Sequence, residues 1–218
     1  DLAMAGGFVE GCAHQIFGYE GCGKTTFWLL MAAALQRKHP EGVIVWVDVE
    51  KKFDRDWFEK LGGDLDRIMV IKPPNGEAAV DLMAAAAQSL EVVGIFLDSI
   101  PSLAPMQDLD KSAEDAVVAT RARLIGRWCS KMQQAWIDEA KRGHKYTLFA
   151  INQYRQKIGS QHGGNILPGG MFLPYLLDSS MKLLKTEVLS ADSGQQRHLL
   201  NKHTFSFTKT KGAFSVKQ

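Results

Sequence analysis

Disulfides are the first thing this chain cannot use. Its 218 residues hold three cysteines, Cys12, Cys22 and Cys129, scattered along the sequence. Such a set builds no disulfide framework and fits a reducing cytoplasm. Long apolar runs are also missing, and none approaches the ~18 residues of a membrane span. The first residues, Asp1-Leu2-Ala3-Met4-Ala5-Gly6-Gly7, carry neither a basic stretch nor an apolar core, so they do not read as a secretory signal. They lack an initiator methionine as well, which leaves room for residues upstream. No internal repeat or low-complexity tail breaks the pattern. With 45% apolar and 23% charged residues the composition is that of an ordinary globular protein. A single domain over 1–218 is the expectation.

Acid is missing from two stretches, and that absence is informative. Residues 154–177 hold no Asp or Glu but include Arg155 and Lys157. Residues 193–218 again hold none, but include Arg197, Lys202, Lys209, Lys211 and Lys217. The acids concentrate earlier, as in 48–66 and 108–115. A net charge of +2 hides this segregation, which points to a polyanion surface built from the later loops. A solvated basic face without a partner is the competing reading.

What the chain does have is Gly18-Tyr19-Glu20-Gly21-Cys22-Gly23-Lys24-Thr25-Thr26, a match to G-x-x-x-x-G-K-[ST]. The preceding run 14–17 reads as a short buried strand, and 26–35 as an apolar helix. In that setting the glycines let backbone N–H groups curl around a phosphate at a helix N-terminus. Lys24 would reach the β- and γ-phosphates and the Thr25 hydroxyl would ligate Mg²⁺. The motif therefore points to a nucleoside triphosphate, with Cys22 as a small filler within the loop.

Apolar, β-branched runs at 42–49, 67–72, 92–98 and 146–152 alternate with helical patterns at 54–61, 77–90 and 114–140. That alternation predicts an α/β fold whose mostly parallel sheet is flanked by helices, with ligands at the strand C-terminal edge. Residues 159–174 hold five glycines and two prolines without a usable period, so they read as a long functional loop. Segments 179–189 and 203–209 read as strands that finish the sheet.

The strand ends carry candidate chemistry. Asp98, closing an apolar strand, has the form of a Walker B acid that would hold Mg²⁺. Glu50, just past the strand 44–49, could orient and deprotonate an attacking water; the competing reading is a solvated acid beside Lys51 and Lys52. Gln153 would sit near the γ-phosphate, where its amide can both donate and accept.

GYEGCGKTT, VWVDVEKKFD, IFLDS and above all INQYRQKIG leading to GG resemble the RecA family of recombinases, in its bacterial and phage branch. The resemblance runs from Asp1 to about Phe214. It implies a RecA-type P-loop NTPase core that binds ATP and Mg²⁺, assembles on DNA as a helical filament, and hydrolyses ATP between neighbouring protomers. The family pattern makes Glu50 the acid that activates water, Asp98 the Walker B acid, and Gln153 the switch between γ-phosphate and a DNA loop. Gly18, Glu20, Gly21, Cys22, Gly23, Lys24, Thr25 and Thr26 would cradle the phosphates, with Asp54 and Trp57 at the adenine. Lys209 and Lys211 match paired lysines that reach the ATP of the next subunit.

Two DNA-contacting loops are implied. The second, 155–172, would use Arg155, Lys157, Ile158 as a wedge between bases, and Gly159, Gly169 and Gly170. The first, around 105–123, would use Arg123, with Val118 near a wedge position. The N-terminal oligomerisation segment and the C-terminal domain of the family are expected to be absent. The first loop also departs from the bacterial sequence, with Asp108, Asp110, Glu114 and Asp115 close by.

The expected function is therefore ATP-dependent pairing of single-stranded with double-stranded DNA and strand exchange, in the cytoplasm of a bacterial or phage-infected cell. Two alternatives stay open: a RecA-core motor or helicase, and an annealing or accessory module without exchange activity.

Overall fold

Residues 7–106, 114–156, 165–187 and 201–210 are described by the structure, a computed structural model. Strand β1 (Ala13–Gly18) leads through the glycine-rich turn into α1 (Lys24–Lys38). Then β2 (Val43–Asp48), α2 (Arg55–Lys60), β3 (Ile68–Ile71), α3 (Gly76–Ala87), β4 (Val92–Asp98), α4 (Glu114–Lys141) and β5 (Thr147–Gln153) alternate. A small hairpin, β6 (Arg155–Gln156) with β7 (Asn165–Ile166), stands apart from the main sheet. Helix α5 (Leu173–Leu176), β8 (Ser179–Glu187) and β9 (Asn201–Thr210) follow. The seven-stranded sheet runs β3-β2-β4-β5-β1-β8-β9, parallel throughout except for β8 with β9.

The apolar runs are continuous because both faces of the sheet are covered. Val45, Val47, Ile95, Leu97, Leu148 and Ala150 join a core with Met83, Trp128 and Met132 from α3 and α4. The residues between them, Ile44, Trp46, Phe96, Phe149 and Ile151, join a second core with Trp28, Leu29, Ala32 and Phe58 from α1 and α2. Strand period 2 thus sorts one apolar run into two cores.

An aromatic row crosses the second core. Trp46 pairs in register with Phe96, and Phe96 with Phe149. The rings stack, with centroids 5.2 Å and 4.6 Å apart and interplanar angles of 11° and 13°. Such pairs add about 0.5–1.5 kcal/mol each beyond area burial. A one-residue slip of any of these strands would turn its ring to the other face. The row therefore holds β2, β4 and β5 with their C-terminal ends level.

Helix starts follow local chemistry. Asp54 accepts from Trp57 N at 2.9 Å and caps α2, and Asn75 accepts from Ala78 N at 2.8 Å and caps α3. The elements read from sequence are all present, with ends displaced by a few residues. Two segments differ from expectation. The stretch 159–174 is not all loop, since it contains β7 and the start of α5. Of the expected first DNA loop, 114–123 is helical, the N-terminal part of α4. A glycine-rich composition hid the hairpin because two-residue strands carry no periodicity.

Close approach of β1 and β8 makes Gly18 sensitive. A Cβ there would lie 2.4 Å from the Leu183 carbonyl oxygen and 3.0 Å from Cys22 Sγ. Backbone cannot rotate away as a side chain can. Gly18→Ala should therefore lower unfolding free energy by about 1–3 kcal/mol, seen as an earlier urea midpoint at unchanged slope. A wild-type midpoint would mean that β1 and β8 separate without cost.

Candidate functional site

Gly18 ends β1 and lies in register beside Gln153 at the end of β5. Beyond it, Gly21 (φ 70°) and Gly23 (φ 90°) take left-handed conformations that glycine adopts without strain. Helix α1 begins after Gly23 with no side-chain cap and no acid in its first turn. Its first N–H groups have no intrahelical partners, and its positive end carries no acid of the helix itself. Lys24 is buried, and its Nζ donates to the Tyr19 carbonyl at 2.6 Å and lies 3.8 Å from Cys22 Sγ. Cys22 itself is buried in the second apolar core, while Glu20 and Gly21 are exposed and Thr26 is half-buried. Thr25 Oγ1 donates to Asp98 Oδ2 at 2.9 Å. A curled glycine loop, a buried ammonium and a hydroxyl beside a carboxylate form a donor set that fits a polyphosphate with a hard divalent cation.

Asp98 closes β4 in register with Asp48 at the end of β2. Burial pushes its carboxyl up to about 7, with the charges of Glu50 and Asp48 adding to the rise. The Thr25 hydrogen bond and the Lys24 charge act in the opposite sense. Asp48 is buried too, but its two oxygens accept from Lys52 N and Phe53 N at 3.0 Å each. These bonds fix the turn after β2, in which Lys51 takes φ 57° and the Glu50 amide donates to the Asp98 carbonyl at 3.2 Å.

Glu50 is therefore held, not solvated. Its Oε1 accepts from Ser99 Oγ at 2.7 Å, Gln153 Nε2 at 3.1 Å and Ser102 Oγ at 3.2 Å. Its Oε2 accepts from Lys52 Nζ at 3.2 Å. Burial raises the Glu50 carboxyl, but the Ser99 and Lys52 hydrogen bonds outweigh it and leave the group below its ordinary value. Side by side, one carboxylate is kept ionised and the other is poised near neutrality. The arrangement can orient a water with Glu50 and hold a metal with Asp98 and Thr25.

The other residues singled out from sequence are distributed as follows. Asp54 and the exposed Trp57 lie at the start of α2, which follows the Glu50 turn. Arg155 is exposed on β6, and Arg123 is exposed on α4. Helix α4 reaches the second glycine-rich stretch: a Cβ on Gly126 would lie 3.1 Å from Phe172 Cδ2, and one on Gly170 would lie 3.9 Å from Ala122 Cβ. Gly169 (φ 144°) and Gly170 (φ 59°) shape the turn into α5, which gives their identity a conformational reason of its own. Lys209 lies on β9 opposite Ser180. Val118 lies on α4. Lys157, Ile158, Gly159 and Lys211 fall outside the described residues.

Sequence reasoning missed the hydroxyls of Ser99 and Ser102 and the turn-capping role of Asp48. The signal for Asp48 was an acid at the end of an apolar strand followed by backbone that must turn. It also missed Asn152, which is fully buried and donates from Nδ2 to the Pro168 carbonyl at 2.7 Å and to Gln15 Oε1 at 3.3 Å. That pair of bonds ties the glycine-rich stretch to the sheet.

A mostly parallel sheet with a phosphate loop after β1 and acids at the ends of β2 and β4 defines a RecA-type P-loop NTPase core. The family model for the RecA N-terminal domain matches residues 1–218. Among known relatives, Protein RecA of Synechocystis sp. is 32% identical over 190 residues, covering 87% of this chain and 52% of that protein. Protein RecA of Aquifex pyrophilus is 33% identical over 185 residues, 84% of this chain and 51% of its own length. Protein RecA of Mesomycoplasma hyopneumoniae is 28% identical over 200 residues, 91% of this chain and 57% of its own length. The chain belongs to the RecA family, and spans about half the length of the curated relatives it matches.

The strain on Asp98 can be measured. In an unfolded chain its carboxyl ionises near 3.8, in the folded one near 7. Between these values folding takes up a proton, so stability falls as pH rises from about 4 to about 7. Asp98→Asn removes the buried charge. In metal-free buffer it should raise stability at pH 8 by up to roughly 4 kcal/mol, at about 1.4 kcal/mol per pH unit between the two values. The gain should shrink toward zero near pH 4. Denaturant titrations across that range test this; a variant less stable than wild type at pH 8 would make the Thr25 bond the larger effect.

Proposed function

We propose that this chain is the ATP-hydrolysing core of a DNA recombinase, which assembles on single-stranded DNA as a helical filament and promotes pairing and strand exchange with a homologous duplex. The observation that carries the reading is the Gln153–Glu50 hydrogen bond at 3.1 Å. Gln153 ends β5, one residue before Tyr154 and two before the exposed Arg155 of the hairpin. One amide thus touches the carboxylate at the phosphate edge while its own strand runs on to the exposed Arg155, at the start of a stretch whose sequence holds no acid. That continuity would let a DNA-bound segment bear on the carboxylate, which supports a DNA-responsive hydrolase.

In this reading the phosphate loop and Lys24 bind the β- and γ-phosphates of ATP. Bound Mg²⁺, held by Thr25 and Asp98, would neutralise phosphate charge. Glu50, kept ionised by its hydroxyl donors, takes the proton of the attacking water. Gln153 reports the γ-phosphate to the hairpin, where Arg155, together with Lys157 and Ile158, meets DNA. Arg123 on α4 adds a phosphate contact. Asp54 and Trp57 bound the adenine. Lys209 and Lys211 reach the ATP of a neighbouring protomer, where positive charge stabilises the transition state. No helix among the described residues is long and apolar enough to cross a membrane, and the cytoplasm of a bacterial or phage-infected cell is the compartment where such a protein would meet DNA.

Lys24→Ala should remove a charge-assisted phosphate contact of about 1.5–3 kcal/mol and abolish turnover. Wild-type hydrolysis by the folded variant would exclude Lys24 from the site. Gln153→Ala tests the coupling. Basal hydrolysis should fall in part, while the difference in single-strand affinity between ATP and ADP forms, of about 1–3 kcal/mol in coupled systems, should largely vanish. Fluorescence anisotropy of a labelled oligonucleotide with each nucleotide reads this out. A full ATP-versus-ADP difference in the variant would overturn the switch, and a wild type with no DNA-stimulated hydrolysis would favour an accessory module. Joint-molecule formation separates recombinase from motor.

A further inference from the structure

The phosphate loop carries a large aromatic that its phosphate chemistry does not require. Tyr19 occupies a position the loop motif leaves free, and the residue is 54% exposed. Its backbone and its ring nevertheless face two different parts of the site. The carbonyl accepts the Lys24 ammonium at 2.6 Å. The ring lies against Tyr154, centroid to centroid 5.0 Å, and the hydroxyl accepts from Asn165 Nδ2 at 2.8 Å.

These two ring contacts fall on opposite strands of the hairpin neck. Tyr154 immediately precedes β6, and Asn165 on β7 is paired with Gln156 of β6. Arg155, paired with Ile166, is the next residue out. Tyr154 is held from the sheet side as well: the Phe17 ring meets it edge-on at 5.7 Å, and Lys182 Nζ sits 5.7 Å above its face. Tyr19 is thus the contact through which the phosphate loop reaches both strands of the neck.

Building on the nucleotide and DNA roles proposed above, we infer that Tyr19 is a positioning residue that latches the hairpin to the phosphate loop and releases it when Lys24 moves onto phosphate. Anionic phosphate oxygens form stronger hydrogen bonds with an ammonium than a neutral carbonyl does. They therefore compete with Tyr19 for Lys24. Losing that bond frees the Tyr19 backbone, which shifts the ring against Tyr154 and weakens the hydroxyl's hold on Asn165. The route is separate from the Gln153–Glu50 bond, which starts at a different strand end. The latch opposes DNA binding until phosphate arrives, so cutting it raises affinity in the weak-binding state. A merely structural role would lower affinity in every state.

Two readouts test this on the whole chain. Tyr19→Phe keeps the ring and the carbonyl and removes the hydroxyl. Its affinity for a labelled single-stranded oligonucleotide should rise about threefold in the absence of nucleotide, as for one exposed hydrogen bond of under 1 kcal/mol. With a non-hydrolysable ATP analogue it should match wild type. The second readout needs no DNA. Fluorotyrosine labelling reports on the chain's four tyrosines, and the Tyr154 signal is assigned with Tyr154→Phe. In wild type that signal should move on adding the ATP analogue. In Tyr19→Phe and in Asn165→Ala it should start near the moved position and shift less. Tyr19→Phe with an undiminished Tyr154 shift and an unchanged nucleotide-free affinity would overturn the latch while leaving the recombinase reading intact. Lower affinity in both states would overturn it too. A wild type whose DNA affinity ignores nucleotide would instead sink the recombinase reading, and the fluorine shift alone would then decide whether Tyr19 moves the neck.

Discussion

Everything at the site depends on four parallel strands ending level. Trp46, Phe96 and Phe149 stack across β2, β4 and β5 in register, and β1 pairs with β5 from Ala13 to Gly18. Two residues beyond the row, Asp48 and Asp98 stand side by side, and Gln153 is level with Gly18 where the phosphate loop begins. Because strand side chains alternate, a single-residue slip would both unstack the rings and turn the acids to the wrong face. The packing of an apolar core thereby sets the geometry of a polar edge.

That edge is built under electrostatic tension. Asp48, Glu50 and Asp98 share it, and each is handled differently. Asp48 is stabilised by two backbone N–H donors, and Glu50 by two serine hydroxyls, Gln153 and Lys52. Asp98 accepts from the Thr25 hydroxyl, which does not offset its burial, and the carboxyl is pushed up to about 7. A group that ionises reluctantly without a cation, and readily with one, is suited to hold a metal. Stability is given up at the position where a ligand would restore it.

From this edge two lines of contact run toward the glycine-rich stretch. One is Glu50–Gln153 and on through β5 to β6; the other is Lys24–Tyr19–Tyr154/Asn165. A third set of bonds acts as an anchor. Buried Asn152 links the Pro168 carbonyl to Gln15, which in turn donates to Ser180 on β8. The turn at Gly169 and Gly170 is thus pinned to the sheet at its base, while the hairpin neck rests on the phosphate loop. A basal anchor with a separable upper contact would suit the nucleotide-responsive segment proposed above.

The chain order of strands and helices, the phosphate loop and the acids at strand ends were legible in sequence, because each rests on local pattern: period 2, helix start signals, glycines before Gly-Lys-Thr. So was the segregation of acid from 154–177. What stayed hidden depends on partners distant in the chain. Nothing around Glu50 announces that Ser99, Ser102 and Gln153 converge on one of its oxygens, since those residues lie about 50 and 100 positions away and meet it only through the strand order β2-β4-β5. The pull on the Asp98 carboxyl is likewise a property of burial beside Asp48 and Glu50. The hairpin and its rest on Tyr19 had no sequence signal, because two-residue strands are too short to show a period and a Tyr–Asn bond spanning 146 residues obeys none. Local periodicity determines the elements; long-range register decides which of their ends become a site.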